Sequence, residues 1–429
     1  MRYTQNSHVP IFQLPAELLL DVFLYVVEAG LQDDNASFAT GTFSFLQACR
    51  RWNEVAIGFP QLWVWWVAGA VKAWHLFKSR SKDAPLFLTW RSHLTDSTLD
   101  ILAGAGTPRG IHQFDFSGGG EQLERLLDAL ISNSISITSS VRVQLIGPYH
   151  HRSVRHLDRF FSSPLPNLSK LDIENFLPDS SSSLFTTSNL TSLRLKLPRE
   201  YQHRFTRSQL SKILHQHPNL QGLDLEGALP PVEKSGSSAP VVLPQLTDLR
   251  LYDADPVIAG FTDLINMSSP LRNVVIYFQP VHTAHVPTIF ATVKKILTAY
   301  YECQGLECPR RVDHLTVSSG PMENDLIIDA GSSSTPSSNL KLQFHEILTT
   351  FTENIVPLLP LKHVRKFTVE GLAVSTDDWH RVLRRMKDLL YLQLDRLEIG
   401  PVLDAFDYDD ECMYGGAIGI KSNHSHTHS

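Results

Sequence analysis

The run Gly118-Gly119-Gly120 follows an alternating apolar stretch and precedes a helical one, the position a phosphate-cradling loop takes in nucleotide-binding proteins. A dinucleotide fingerprint needs its third glycine where this chain has Leu123, so the run reads as a tight strand-to-helix turn. Gly415 to Ser422 contains glycines, a lysine and a serine, but neither the spacing nor a following helix pattern is that of a P-loop. His345-Glu346 lacks the second histidine of a zinc-protease helix, and Cys303 with Cys308 has no second ligand pair at zinc-finger spacing. His424, His426 and His428 carry imidazoles suited to a transition metal, yet a mobile tail gives them no fixed geometry. Asp407, Asp409, Asp410 and Glu411 read as a solvated acidic face. No catalytic set converges from these patterns, so the expectation is a non-enzymatic chain with no metal and no cofactor. An enzyme built on a strand-helix barrel would fit the alternation of elements but finds no catalytic residues here.

Binding chemistry is the stronger signal. Asp172 and Glu174, Arg194 and Lys196, Asp224 and Glu226, then Arg250 and Tyr252 occupy matching polar positions of successive apolar motifs, with charge sign alternating from one to the next. On parallel neighbouring strands about 4.8 Å apart, such pairs contribute roughly 0.2 to 1 kcal/mol each. One reading is a ladder that neutralises itself and steadies a sheet. The sharper one is a face that binds a partner, with Arg250, Tyr252, Tyr277 and Phe278 as candidate contacts, because they interrupt the alternation with residue types that dominate binding hot spots.

These positions belong to a recurring template, Leu-x-x-Leu-x-Leu, at Leu168, Leu190, Leu220 and Leu246. Looser copies begin at Ile111, Leu271, Val312, Val364 and Leu389, and Val141-Arg-Val143-Gln-Leu145 has the alternation alone. Alternate residues of a strand share a face, so Leu193 and Leu195 point inward while Arg194 and Lys196 point out. Helical periodicity separates the motifs at Glu121 to Ile131, Ser208 to Leu214, Val286 to Tyr301, Ile347 to Val356 and Thr376 to Met386. Strand, crossover helix and parallel strand is the expected unit. The spacing stretches at Gln279 to Arg311 and Ser318 to Leu361, where insertions are expected. Serine-rich runs at Asp179 to Ser183, Glu233 to Pro240 and Gly331 to Ser338 read as surface loops, and residues 407–429 as a disordered tail.

The N-terminal segment has a different pattern. Leu14-Pro15 suits a helix entry, and from Glu17 the residues Leu18, Leu19, Val22, Phe23, Val26 and Val27 recur at spacings of three and four. A second helix is expected from about Thr42, with Phe45, Leu46, Cys49, Trp52, Val55 and Ala56 on one side; Pro60 opens a third element containing Leu62 and Trp63. The linked motifs Leu-Pro-x-Glu-Leu-Leu, Leu-x-x-Cys-x-x-Trp and Pro-x-Leu-Trp resemble the F-box, the three-helix module that docks substrate adaptors onto the Skp-type adaptor of cullin ubiquitin ligases. The continuation to Pro85-Leu86 resembles the fungal F-box families, with a longer first loop at Ala29 to Thr40. The strand-helix array resembles an irregular leucine-rich-repeat solenoid.

The resemblance implies an α+α/β chain: an F-box over residues 11–79, a solenoid with a curved parallel sheet and outer helices over 85–400, then the tail. It also implies that Leu14, Pro15, Leu18, Leu19, Val22, Phe23, Leu46, Cys49, Trp52, Leu62 and Trp63 either hold the three helices together or face the Skp partner. The implied function is a non-catalytic substrate-recognition adaptor that binds Skp and the cullin core on one side and a protein target on the other. The alternative is an interaction scaffold whose F-box-like cap recruits no ligase.

Bulk properties agree with such a reading. At 429 residues the chain exceeds one compact core, and a net charge of −6 argues against a nucleic-acid partner. Four scattered cysteines make no disulfide framework, and residues 1–13 are too polar for a secretory signal, which together point to the cytoplasm or nucleus. Val55 to Val71 is apolar with three tryptophans, but it is short for a membrane span and Pro60-Gln61 interrupts it.

Overall fold

A computed structural model describes residues 10–32, 44–67, 74–82, 84–90, 110–132, 137–146, 165, 167–186, 189–198, 201, 203–232, 239–266, 271–278, 286–301, 314–319, 325–331, 339–345, 359, 361–370, 375–395, 400–407 and 419–423. The expected helix at Ile347 to Val356, the residues Cys303, Cys308 and Glu346, most of the two later serine-rich runs and the tail histidines lie outside them. The chain is a mixed helix-and-strand protein whose strands form mostly parallel sheet, and it divides into two compact units, Met1–Leu190 and Thr191–Ser429.

The first unit begins with α1 (Ala16–Gln32), a 3-10 turn (Ser44–Gln47), α2 (Arg50–Gly58), a second 3-10 turn (Pro60–Trp63), β1 (Trp65–Val67) and α3 (Trp74–Ser81). It continues through β2 (Leu86–Trp90), β3 (Ile111–Gly118), α4 (Gly120–Ser132), β4 (Ile137–Leu145) and β5 (Lys170–Glu174). The strands lie in chain order, each parallel to the next, with a bulge between Ile111 and Gln113. One expectation is corrected here. The helix foreseen from Thr42 is broken at Cys49, whose extended backbone (φ −161, ψ 165) cannot continue a helix and whose Sγ instead accepts the Trp52 amide at 3.4 Å, capping α2. Strand β1 lies within the span 11–79 and pairs in parallel with β2.

The second unit contains β6 (Ser192–Lys196), α5 (Arg207–His215), β7 (Gly222–Glu226), β8 (Val241–Val242), β9 (Asp248–Asp253), α6 (Asp255–Leu264), β10 (Ile265–Asn266), β11 (Asn273–Phe278) and α7 (Val286–Tyr301). It ends with β12 (His314–Ser319), β13 (Asp325–Gly331), β14 (Asn339–His345), β15 (Lys366–Glu370), α8 (Thr376–Leu383), β16 (Tyr391–Asp395), α9 (Gly400–Asp407) and β17 (Gly419–Asn423). The sheet order is β6-β7-β9-β11-β14-β13-β12-β15-β16-β17, with β8 and β10 as a separate parallel pair. The Leu-x-x-Leu-x-Leu template forms these strands because its second and third apolar residues face a dry interior: Leu193, Leu195, Leu223, Leu225, Leu249 and Leu251 are all buried. Helix starts are locally encoded as well. Thr206 and Gln209 form a reciprocal capping box on α5, and the Ser375 hydroxyl accepts the Asp378 amide on α8.

Two departures concern the sheet. The insertion foreseen after Ser318 supplies β13 and β14, and β13 runs antiparallel to both β12 and β14, so the array is not parallel throughout. The expected disordered tail contains β17, paired in parallel with β16, where its amides and carbonyls complete the ladder that β16 would otherwise leave open.

The turn after β7 fixes its C-terminal end. Gly227 has φ +63, its amide donates to the Tyr252 carbonyl at 2.8 Å, and a Cβ there would sit 2.4 Å from the Leu197 carbonyl oxygen. Gly227→Ala therefore combines a left-handed backbone with a backbone clash and is expected to cost at least about 1–3 kcal/mol. Gly222→Ala, whose Cβ would find its nearest neighbour at 3.5 Å, serves as the control. Equal urea midpoints for the two variants would show that the turn is not constrained.

Candidate functional site

In α1 the heptad-like stripe of the sequence splits into two faces. Leu19, Phe23 and Val27, spaced by four, are fully buried. Phe23 stacks on Phe45 (centroids 4.3 Å apart, 9° between planes) and meets the edge of Trp52 at 5.4 Å. Leu18, Val22 and Val26 form a second row with the same spacing but are 49%, 40% and 38% exposed, and Tyr25 beside them is 73% exposed. An apolar row of that exposure on a helix whose neighbouring row is already dry is a surface seeking cover. Tyr25 is outside the sequence motif, and its position seven residues after Leu18 and three after Val22 is what places it on this row.

The other motif residues fall on the inner side of that division or at its rim. Leu62 and Trp63 are buried; the Trp63 indole N–H donates to the Ala56 carbonyl at 2.7 Å, its ring meets the edge of Phe77, and the Arg80 guanidinium lies 4.2 Å over it. Burial holds Arg80 below its ordinary pKa. Leu14, Leu46, Cys49 and Trp52 are half-buried, and Pro15 is exposed. The Leu14 carbonyl accepts from Arg51 Nη2 at 2.6 Å, and the Pro15 carbonyl accepts the Leu19 amide, so Leu14-Pro15 sets the start of α1 against α2.

On the second unit, outward residues of adjacent strands line up in rows. Arg194 is opposite Asp224, which is opposite Arg250, then Val275, Lys341 and Asp329; one row along, Lys196, Glu226, Tyr252 and Tyr277 stand side by side. Ion pairs close Arg194 to Asp224 (3.3 Å) and Lys196 to Glu226 (3.6 Å), partly exposed contacts worth about 0.2–1 kcal/mol each. A similar ladder exists in the first unit, where Arg142 reaches Asp172 at 3.3 Å and Asp115 at 4.0 Å. Tyr252 and Tyr277 stack with centroids 4.2 Å apart and planes 15° from parallel. Arg250 is exposed beside them. Phe278 does not join this surface: it follows Tyr277 by one residue, points to the opposite face with Val274 and Ile276, and is fully buried, so it is a core residue and not a partner contact.

The glycine turn is held by its own chain. The Gly119 amide already donates within the chain, to Gln122 Oε1 at 3.1 Å, and a Cβ on Gly118 would meet that same oxygen at 2.8 Å. Among the described residues no three His, Cys, Asp or Glu side chains gather as a metal set, and no helix is long and apolar enough to cross a membrane. No protein-family model matches the chain, and the search of curated proteins returned no match.

Proposed function

We propose that the chain is a substrate-recognition adaptor of a Skp-cullin-F-box type ubiquitin ligase, acting inside the cell. The observation that supports this most is the division of α1: the Leu-Pro-x-Glu-Leu-Leu helix keeps Leu19, Phe23 and Val27 for its own packing and presents Leu18, Val22, Tyr25 and Val26 outward. In this reading the outward row is the surface that the Skp-type adaptor covers, and the strand array of the second unit holds the protein target. The adaptor's role is to bring target and ligase together, which requires two binding surfaces and no catalytic residue of its own.

The test is capture of a purified Skp-type adaptor by the full chain. Leu18→Asp with Val22→Asp places two charges in the outward row without touching the buried one, so capture should fall by more than tenfold while the thermal midpoint stays within a few degrees. Undiminished capture by this variant, or no capture by the wild type, removes the assignment.

A further inference from the structure

The central row of the second unit does not neutralise itself. Asp224 stands between Arg194 and Arg250 and is paired with Arg194 at 3.3 Å; Lys196 is paired with Glu226, and Lys341 stands in register with Asp329. Among the described residues no carboxylate is paired with Arg250, whose other register neighbour is Val275. The result is a surplus guanidinium, exposed at the middle of a strand, bordered by an apolar side chain and by the flat stacked pair Tyr252 and Tyr277. A guanidinium takes a carboxylate in bidentate fashion, and an aromatic shelf beside it covers the apolar residue next to that carboxylate.

We propose that Arg250, Val275, Tyr252 and Tyr277 form a recognition site for an acidic peptide segment, with a Glu or Asp on Arg250 and an adjoining apolar side chain on the tyrosine pair. The proposal rests on the reading of this face as the target-binding side of the adaptor and specifies what it selects. Peptide fits better than nucleic acid because a nucleic acid carries a phosphate at every step, which Asp224, Glu226, Asp248 and Asp329 oppose along its length, whereas a peptide can set a single carboxylate on Arg250 and uncharged residues beside the acids. The stacked rings also hold the site open. Their mutual contact fixes both side chains across β9 and β11, so little rotamer freedom is lost when a ligand covers them.

Fluorescence anisotropy of the full chain with a short labelled peptide carrying one Glu flanked by Leu and Phe tests this, with the same peptide carrying Lys for Glu as comparison. The acidic peptide is expected to bind and the basic one not to; Arg250→Glu should weaken binding by about tenfold or more, and Tyr252→Ala with Tyr277→Ala by a similar factor. Arg250 is exposed, so its variant should melt as the wild type does. Equal binding of the two peptides, undiminished binding by Arg250→Glu, or tighter binding of a polyuridine oligonucleotide each overturns the proposal. Leu18→Asp with Val22→Asp must leave peptide binding intact. Arg250-dependent peptide binding in a chain that captures no Skp-type adaptor would establish the site and discard the ligase role.

Discussion

Asp253→Ala is expected to destabilise the second unit by about 3 kcal/mol or more, because it leaves a partly buried guanidinium without its counter-charge. Asp253 ends β9 with its side chain only 2% exposed, and Arg204 Nη1 reaches both carboxylate oxygens, at 3.1 and 2.9 Å. The same carboxylate accepts the Ala254 amide at 2.8 Å, at the entry to α6, while Arg204 Nη1 also approaches the Leu229 carbonyl at 3.5 Å. One residue thus fixes the end of a strand, the start of a helix and the loop carrying Arg204. Asp253→Asn removes the counter-charge too but keeps an acceptor oxygen for the amide or the guanidinium, so it should cost less than alanine. A denaturant melt in which both variants match the wild type would show that the pair holds nothing in place. Because Arg250 and Tyr252 precede Asp253 on the same strand, the alanine variant should also loosen the proposed peptide site, whereas Arg250→Glu leaves the pair untouched.

The pH dependence follows from the same geometry. Burial pushes the Asp253 carboxyl above the ordinary range, and the charge of Arg204 pulls it only part of the way back. A carboxyl whose pKa is raised on folding binds its proton more tightly in the native state. Its contribution therefore favours the fold below the ordinary carboxyl range and declines as pH rises through the raised value. The wild type's advantage over Asp253→Asn should be largest in acid and shrink toward neutral pH. An advantage that grows with pH would mean that Arg204 outweighs burial. Keeping the pair ionised is a cost and breaking it is a larger one, as expected when desolvation rivals attraction.

Where local pattern and tertiary environment asked for the same thing, the structure was legible in advance. The strands at Leu193, Leu223, Leu249 and Val274 appear in register because each alternation has one dry side; periodicity places α7 over its full span and α5 to within one residue at each end. The misses have physical causes. Phe278 looked like a surface aromatic by type, but strand period two makes it a neighbour of the core. The α6 helix escaped because Asp255-Pro256 reads as a turn until the apolar row Ile258, Phe261 and Leu264 is seen to be buried. The strand β17 has only one apolar residue, Ile420, and its reason for existing is the unpaired edge of β16, which no local pattern encodes. The division of α1 was invisible for a related reason. Leu18 and Leu19 are the same residue type, and only packing tells which one is inside.

That division predicts a sharp contrast between neighbours on α1. Phe23→Ala should cost about 3–5 kcal/mol, since it removes a fully buried ring that fills the space between Phe45 and Trp52, and the 3-10 turn and α2 that carry them cannot close over an alanine. Val22→Ala, one residue away and 40% exposed, should change stability by less than about 0.5 kcal/mol. Amide hydrogen exchange across residues 16–32 separates the two effects from binding: Phe23→Ala should lose protection in α1 and with it any adaptor capture, while Leu18→Asp with Val22→Asp should keep protection and lose capture alone. If Phe23→Ala keeps α1 protected, the inner row does not hold this helix, and the outward position of Leu18 and Val22 would then follow from some other contact. If instead the charged pair of substitutions unprotects the helix, the outer row is part of the fold and not a surface for a partner. Loss of capture without loss of protection is the outcome that only an adaptor-facing helix produces, because binding energy and folding energy then reside in different rows of the same seventeen-residue element.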